Sequence, residues 1–321
     1  MKQPKGFEDH VHPNYVCKLH KALYGLKQAP RQWFKTLCNH LKFLGFKNGT
    51  ADTSLFVFRQ NQVELYMVIY VDDILLTGND SNMITQVIRQ LQQKFAMKDM
   101  GLITNFLGIQ ITKHKDTYFM SQTAYAKTIL NNAGLAQCKP TATPTYTKCI
   151  AETKTDEITM EAHTYRQITG ALQYLTITRP DITYAVNVLC QNMHNPAQEH
   201  MHMLKKLLRY IKGTVNFGIP VTSEPLQVYS YSDADWAGDK QTRRSTTGYC
   251  TFLGNTILSW CVKKQHTVAR SSTEAEYRAL AAATAEVIWI RKLLKDFNIE
   301  LNTPTEIRCD NTSAIALANN P

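Results

Sequence analysis

Two adjacent carboxylates, Asp72 and Asp73, stand in the run Tyr70-Val71-Asp72-Asp73 between apolar stretches. Two such charges about 4 Å apart repel by roughly 4 kcal/mol at an effective dielectric near 20. A raised pKa, a basic partner or a divalent cation relieves that cost, and the last would make the pair a metal-dependent catalytic group. Upstream, residues 63–69 (Val-Glu-Leu-Tyr-Met-Val-Ile) read as a buried strand; downstream, Ile74-Leu75-Leu76-Thr77 reads as a second, closed by the turn signal Gly78-Asn79-Asp80. The pair is thus expected at the bend of a tight hairpin whose arms are core. Ordinary turn acids would more naturally sit in Asn-Gly or Asp-Gly and would not be hemmed in by Val71 and Ile74.

On these residues the chain resembles reverse transcriptases, whose catalytic palm hairpin carries Tyr-Val-Asp-Asp. The stretch from Leu23 to Phe34, with Tyr24-Gly25-Leu26-Lys27-Gln28-Ala29-Pro30 at its centre, resembles the segment that closes over the incoming nucleotide in polymerases of copia-type LTR retrotransposons. The resemblance implies that Asp72 and Asp73 serve the polymerase metals, Mg²⁺ or in its place Mn²⁺. It also implies that Gly25, Lys27, Gln28 and Pro30 line the nucleotide and template pocket. The partners it implies are an RNA template, a DNA primer, dNTPs, RNA–DNA hybrid and other gag and pol products. The implied place of work is the cytoplasm, in virus-like particles, or the nucleus.

The whole chain agrees with a nucleic-acid enzyme. Its 321 residues suffice for two domains with real cores. No stretch approaches a membrane span and Met1-Lys2-Gln3-Pro4-Lys5-Gly6 has no signal-peptide core, so a soluble, intracellular protein with no membrane partner is expected. The eight cysteines include no C-x-x-C pair, which predicts free thiols and argues against zinc. The net charge of +10 is uneven: Lys2, Lys5, Lys18, Lys21, Lys27, Arg31, Lys35, Lys42 and Lys47 face only Glu8 and Asp9. A second cluster is Lys205, Lys206, Arg209 and Lys212. With Tyr24, Trp33 and Phe34 interleaved, the first suits a polyanion groove with stacking surfaces, although a solvated basic surface has the same composition.

Helices are predicted over 31–43 and 80–95, the second with Met83, Val87, Leu91 and Phe95 on one face. Short strands follow within 102–111 and 118–120, then a helix from Ser121, a candidate N-cap. Residues 139–156, rich in threonine with Pro140 and Pro144, read as a linker. The stretches 165–175 and 178–182 resemble the family's helical connection. Residues 199–212 form an amphipathic helix with Leu204, Leu207, Leu208 and Ile211 inward, its basic face available to nucleic acid and Gly213 as the stop. His194, His200 and His202 read as surface residues, since positions two apart on a helix cannot share an ion.

From Gln227 the pattern turns to short strands. An alternating strand ends at Asp233, two antiparallel strands follow, Ser271-Ser272-Thr273 caps a long helix bearing Glu274 and Glu276, and residues 306–310 form a strand ending at Asp310. This strand-acid, helix-acid, strand-acid order resembles the ribonuclease H domain of the same elements. The matching words are Tyr231-Ser232-Asp233-Ala234-Asp235-Trp236-Ala237-Gly238, Ser271-Ser272-Thr273-Glu274-Ala275-Glu276-Tyr277-Arg278-Ala279-Leu280 and Cys309-Asp310-Asn311. The resemblance implies parallel central strands that set Asp233 and Asp310 side by side, with a helical glutamate above them, to hold paired Mg²⁺ ions. It favours Glu276 over Glu274, which lies about 200° away around the helix, and Asp233 over Asp235.

The expected fold is α+β with α/β character. A partial right-hand palm and thumb covers 1–138, a linker and helical connection 139–226, and an incomplete ribonuclease H-like mixed-sheet domain 227–321. The family pattern places a further polymerase Asp before the Met1-to-Phe7 segment and a last nuclease ligand beyond Pro321. On that pattern both sheets would expose an unpaired edge, and the chain would polymerise little. A nucleic-acid-binding remnant without chemistry is the competing expectation.

Overall fold

Helix α1 (Ala29–Phe43) starts where Pro30, within its first turn, needs no backbone donor. It stops at Gly45, which takes φ +93 while Gly45 and Phe46 donate back to Lys42 and Leu41. That crossed pair of bonds is a Schellman end, and it places Phe46 against the core. The computed structural model describes residues 1–21, 23, 25–146, 161–223 and 226–320. Tyr24, Cys149 and the expected linker beyond 146 lie outside them.

The described residues form two compact units, Met1–Asp99 and Met100–Pro321. In the first, β1 (Lys47–Asn48), β2 (Leu55–Gln60), β3 (Val63–Tyr70) and β4 (Asp73–Gly78) make an antiparallel sheet in chain order, followed by α2 (Ser81–Lys94). Asp80 caps α2 by accepting from the Met83 amide at 2.9 Å, rather than lying inside the helix. Leu37, Leu41, Phe56, Leu65, Met67, Ile69, Val87 and Leu91 share one core. The hairpin arms are less buried than expected: β3 buries only Leu65, Met67 and Ile69, on one face, and β4 is an edge strand with no fully buried residue.

The second unit opens with β5 (Asn105–Phe106), β6 (Ile109–His114) and β7 (Thr117–Ser121), then α3 (Thr123–Asn132). Ser121 ends β7 and Gln122 takes the cap position without a side-chain cap bond, so the expected Ser121 cap is corrected. Helices α4 (Ala162–Leu175), α5 (Thr183–Cys190) and α6 (Gln198–Gly213) bury Tyr165, Leu172, Ile182, Leu189, Leu204, Leu207 and Leu208 in one core with α3. Gly213 is the last helical residue and Thr214 the cap. His202 is buried, not superficial, because α6 is covered on more than its leucine face. After β8 (Gly218–Val221), which pairs with β7, come β9 (Val228–Asp235), β10 (Thr246–Leu253), β11 (Thr256–Lys264), α7 (Ser272–Asp296), β12 (Glu306–Arg308) and α8 (Thr312–Asn319). Their sheet runs β11-β10-β9-β12, antiparallel except for the parallel β9–β12 pair. Among the described residues no helix is long and apolar enough to cross a membrane. The described cysteines are unpaired thiols.

Candidate active sites

Tyr70 pairs with Asp73 across the β3–β4 hairpin, leaving Val71 and Asp72 as its two-residue loop. Val71 takes φ +53. Two-residue hairpins do use a positive φ there, but favour Gly, Asn or Asp, and a β-branched residue is strained in that region. The neighbouring β2–β3 loop, Asn61 and Gln62 at φ +49 and +68, uses less demanding residues. Strain is thus concentrated where the two carboxylates are presented. Tyr70, Val71, Asp72 and Asp73 are all exposed.

The stretch before α1 is equally open. Gly25 takes φ +90 with no atom within 4 Å of where a Cβ would stand, and Lys27, Gln28 and Pro30 are exposed. Lys2, Lys5, Lys18, Lys21, Lys27, Arg31, Lys35, Lys42 and Lys47 are exposed too, while Trp33 packs against the core. The α6 cluster is partly engaged: Arg209 donates to the Lys139 carbonyl at 2.7 Å, and Lys206 lies 4.2 Å from the Tyr146 ring centre.

In the second unit the parallel register sets Arg308 beside Tyr231. Two residues further along each chain stand Asp310 and Asp233. Helix α7 starts at Ser271, whose hydroxyl accepts from the Glu274 amide at 3.1 Å, and packs closely on β9 through Ala234, Ala269, Ala275 and Ala279. That close approach lets Glu276, 6% exposed, accept from the Ala234 amide at 3.1 Å. Burial pushes the Glu276 carboxyl up, the Ala234 amide opposes it, and the charges of Asp233 and Asp310 push it further up. Glu276, Asp310 and Cys309 each offer a ligand atom, all within 4.8 Å of one another.

The acids not chosen have other partners. Glu274 accepts from the Arg270 amide at 2.8 Å and pairs with Arg278 at 2.7 Å, stiffening the first turn of α7. Asp235 accepts from the Thr246 amide opposite it, and burial raises its carboxyl above the ordinary value. Among the described residues, Asp72 and Asp73 join no third side chain in a comparable group. Sequence reasoning overlooked Cys309; its adjacency to Asp310 at a strand end was the signal.

Comparison with known proteins identifies the family. A family profile described as reverse transcriptase (RNA-dependent DNA polymerase) matches residues 1–147. The chain is 46% identical, over its whole length, to the retrovirus-related Pol polyprotein from transposon RE1 of Arabidopsis thaliana, and spans 22% of that relative. It is 51% identical over 70% of its length to an uncharacterised mitochondrial protein of the same plant, 94% of which it covers. Against a putative transposon Ty5-1 protein of Saccharomyces cerevisiae it is 30% identical, covering 94% of that protein. With the hairpin carboxylates and the exposed Gly25-to-Pro30 stretch, these matches show that the chain belongs to the reverse transcriptase family of copia-type retrotransposon Pol polyproteins.

Proposed function

We propose that the chain joins RNA-directed DNA polymerase parts to a ribonuclease H that cuts the RNA strand of RNA–DNA hybrids. Palm and thumb would occupy 1–138, linker and helical connection 139–226, and the ribonuclease H-like domain 227–321. The observation that carries the nuclease half is the electrostatic proximity of Asp233, which lies within β9 rather than at its end, and of Asp310, two residues beyond β12, to a buried helical glutamate, Glu276. Carboxylate oxygens are the donors Mg²⁺ prefers, so Asp233, Glu276 and Asp310 suit it, with Mn²⁺ as a substitute. Bound there, paired ions supply an activated water and stabilise the leaving 3′-oxygen. The protein's own work is positional: the Ala234 amide holds Glu276, and the parallel ladder, which ends with Arg308 beside Tyr231, brings together the segments that carry the two aspartates.

In the first unit, Asp72 and Asp73 would meet the polymerase metals, and Gly25, Lys27, Gln28 and Pro30 the nucleotide and template. The exposed basic residues between Lys2 and Lys47 would neutralise phosphates of template and primer. A second reading is a nucleic-acid-binding remnant that keeps the basic groove without chemistry, for which the exposed basic residues between Lys2 and Lys47 would suffice.

Hybrid cleavage by the purified chain in Mg²⁺ tests the nuclease. Asp310→Asn is expected to lower cleavage by about 100-fold or more while hybrid binding changes less than about threefold. Undiminished cleavage would remove Asp310 from the centre. Primer extension on the same preparation tests the first unit, and processive synthesis would rule out the binding-only reading.

A further inference from the structure

Cys309 lies between the last residue of β12 and Asp310 and is half-buried. Its Sγ is 3.9 Å from Glu276 Oε2, and a ligand atom of Asp310 completes a group within 4.8 Å. The other Glu276 oxygen is committed to the Ala234 amide, so Oε2 is the one that meets the sulfur. Tetrahedral zinc holds sulfur at about 2.3 Å and carboxylate oxygen at about 2.1 Å, which sets its donors about 3.5 Å apart. Shifts of about 0.4–1.3 Å, within reach of side-chain torsions, would close all three donors on one ion.

Mg²⁺ takes hard oxygen donors and gains nothing from sulfur, whereas a thiolate beside carboxylates selects Zn²⁺ or Cd²⁺. We propose that Cys309, with Glu276 and Asp310, forms a site for a thiophilic divalent cation that competes with Mg²⁺ for the same carboxylates. Ligation makes one metal–sulfur bond and releases the thiol proton to solvent, with no change of oxidation state. The competition rests on the nuclease reading; the binding does not.

The test uses the intact chain. It is alkylated with iodoacetamide alone, with Zn²⁺ or with excess Mg²⁺, and each cysteine is read by peptide mass spectrometry. Zn²⁺ is expected to slow alkylation of Cys309 at least about tenfold while Cys17 and Cys138 react as before and Mg²⁺ protects nothing. Asp310→Asn should remove that protection. Independently, Cd²⁺ titration should give a thiolate-to-cadmium charge-transfer band that survives Cys138→Ser and is lost in Cys309→Ser. Equal alkylation of Cys309 with and without Zn²⁺, or a band surviving Cys309→Ser, overturns the proposal. Protection of Cys309 without any Mg²⁺-dependent hybrid cleavage would uphold the site and overturn the nuclease; cleavage without protection would do the reverse.

Discussion

Arg179, buried to within 1% of its surface, grips both carboxylate oxygens of Asp181, at 2.9 and 2.8 Å. The same guanidinium donates to the Thr214 carbonyl and hydroxyl at the end of α6, and Tyr210 donates to Asp181 at 2.9 Å. One cation therefore ties the start of α5 to the end of α6. Removing one partner of a fully buried pair costs about 3–5 kcal/mol. The Asp181 side chain is 31% exposed, however, so water and Tyr210 offset part of the loss and about 1–3 kcal/mol is expected. Arg179→Met should lower the denaturation midpoint by a change of that size, and Arg179→Lys should recover only part of it, since lysine cannot fork. A loss under about 1 kcal/mol would show that water replaces the guanidinium.

His40 supplies a pH dependence for the first unit. Burial pushes its pKa down, and Lys94, whose Nζ is 3.3 Å from His40 Nδ1, pushes it down further. The folded chain thus holds the neutral ring, and the unfolded chain binds the extra proton first. Stability should be complete above about pH 6.5 and fall as acid takes the pH from there through the depressed folded value. In thermal melts the wild type should lose more stability over that range than His40→Gln, and identical slopes would exclude His40.

At the β3–β4 hairpin, Val71→Gly should relieve the positive-φ strain. Such strain is worth about 1–3 kcal/mol, and glycine returns about 0.5–1 kcal/mol of it as unfolded-state entropy. A net gain of about 1 kcal/mol, within a range of about 0–2.5, is expected in denaturant melts. A net loss would reveal an unrecognised packing role for the valine.

Asp235 separates structure from chemistry beside the acids of the proposed nuclease centre. Asp235→Ala leaves the Thr246 amide without its partner, at a cost of about 1–3 kcal/mol. Hybrid cleavage per folded molecule should stay within a few-fold of wild type, unlike that of Glu276→Gln, which should collapse. Equal losses in both variants would enlarge the set of metal-facing acids.

Local signals carried most of what could be read from the residues. Ser271 was legible as a helix boundary because a cap depends on only three following residues, whereas Asp80 was placed inside its helix by one position. The run from Val63 to Thr77 was legible as a hairpin through its β-branched composition, but its one-sided burial was not, because coverage depends on which elements reach each face. His202 escaped notice for a similar reason: its polarity suggested water, while the packing around α6 enclosed it. The cap of α3 moved from Ser121 to Gln122 because pairing with β6 and β8 kept Ser121 in strand β7. The Sγ contact of Cys309 with Glu276 spans 33 positions of sequence, and no local pattern encodes such a meeting.

The four alanines between α7 and β9 carry a further implication for how this region can vary. The small side chains of Ala234, Ala275 and Ala279 are buried where Glu276 meets the Ala234 amide. Enlarging Ala275 or Ala279 to valine would lift the helix and withdraw the carboxylate without altering any acidic residue. Under the proposed nuclease reading, a single added branch in this seam would misplace the glutamate while every acid in the sequence still looked intact.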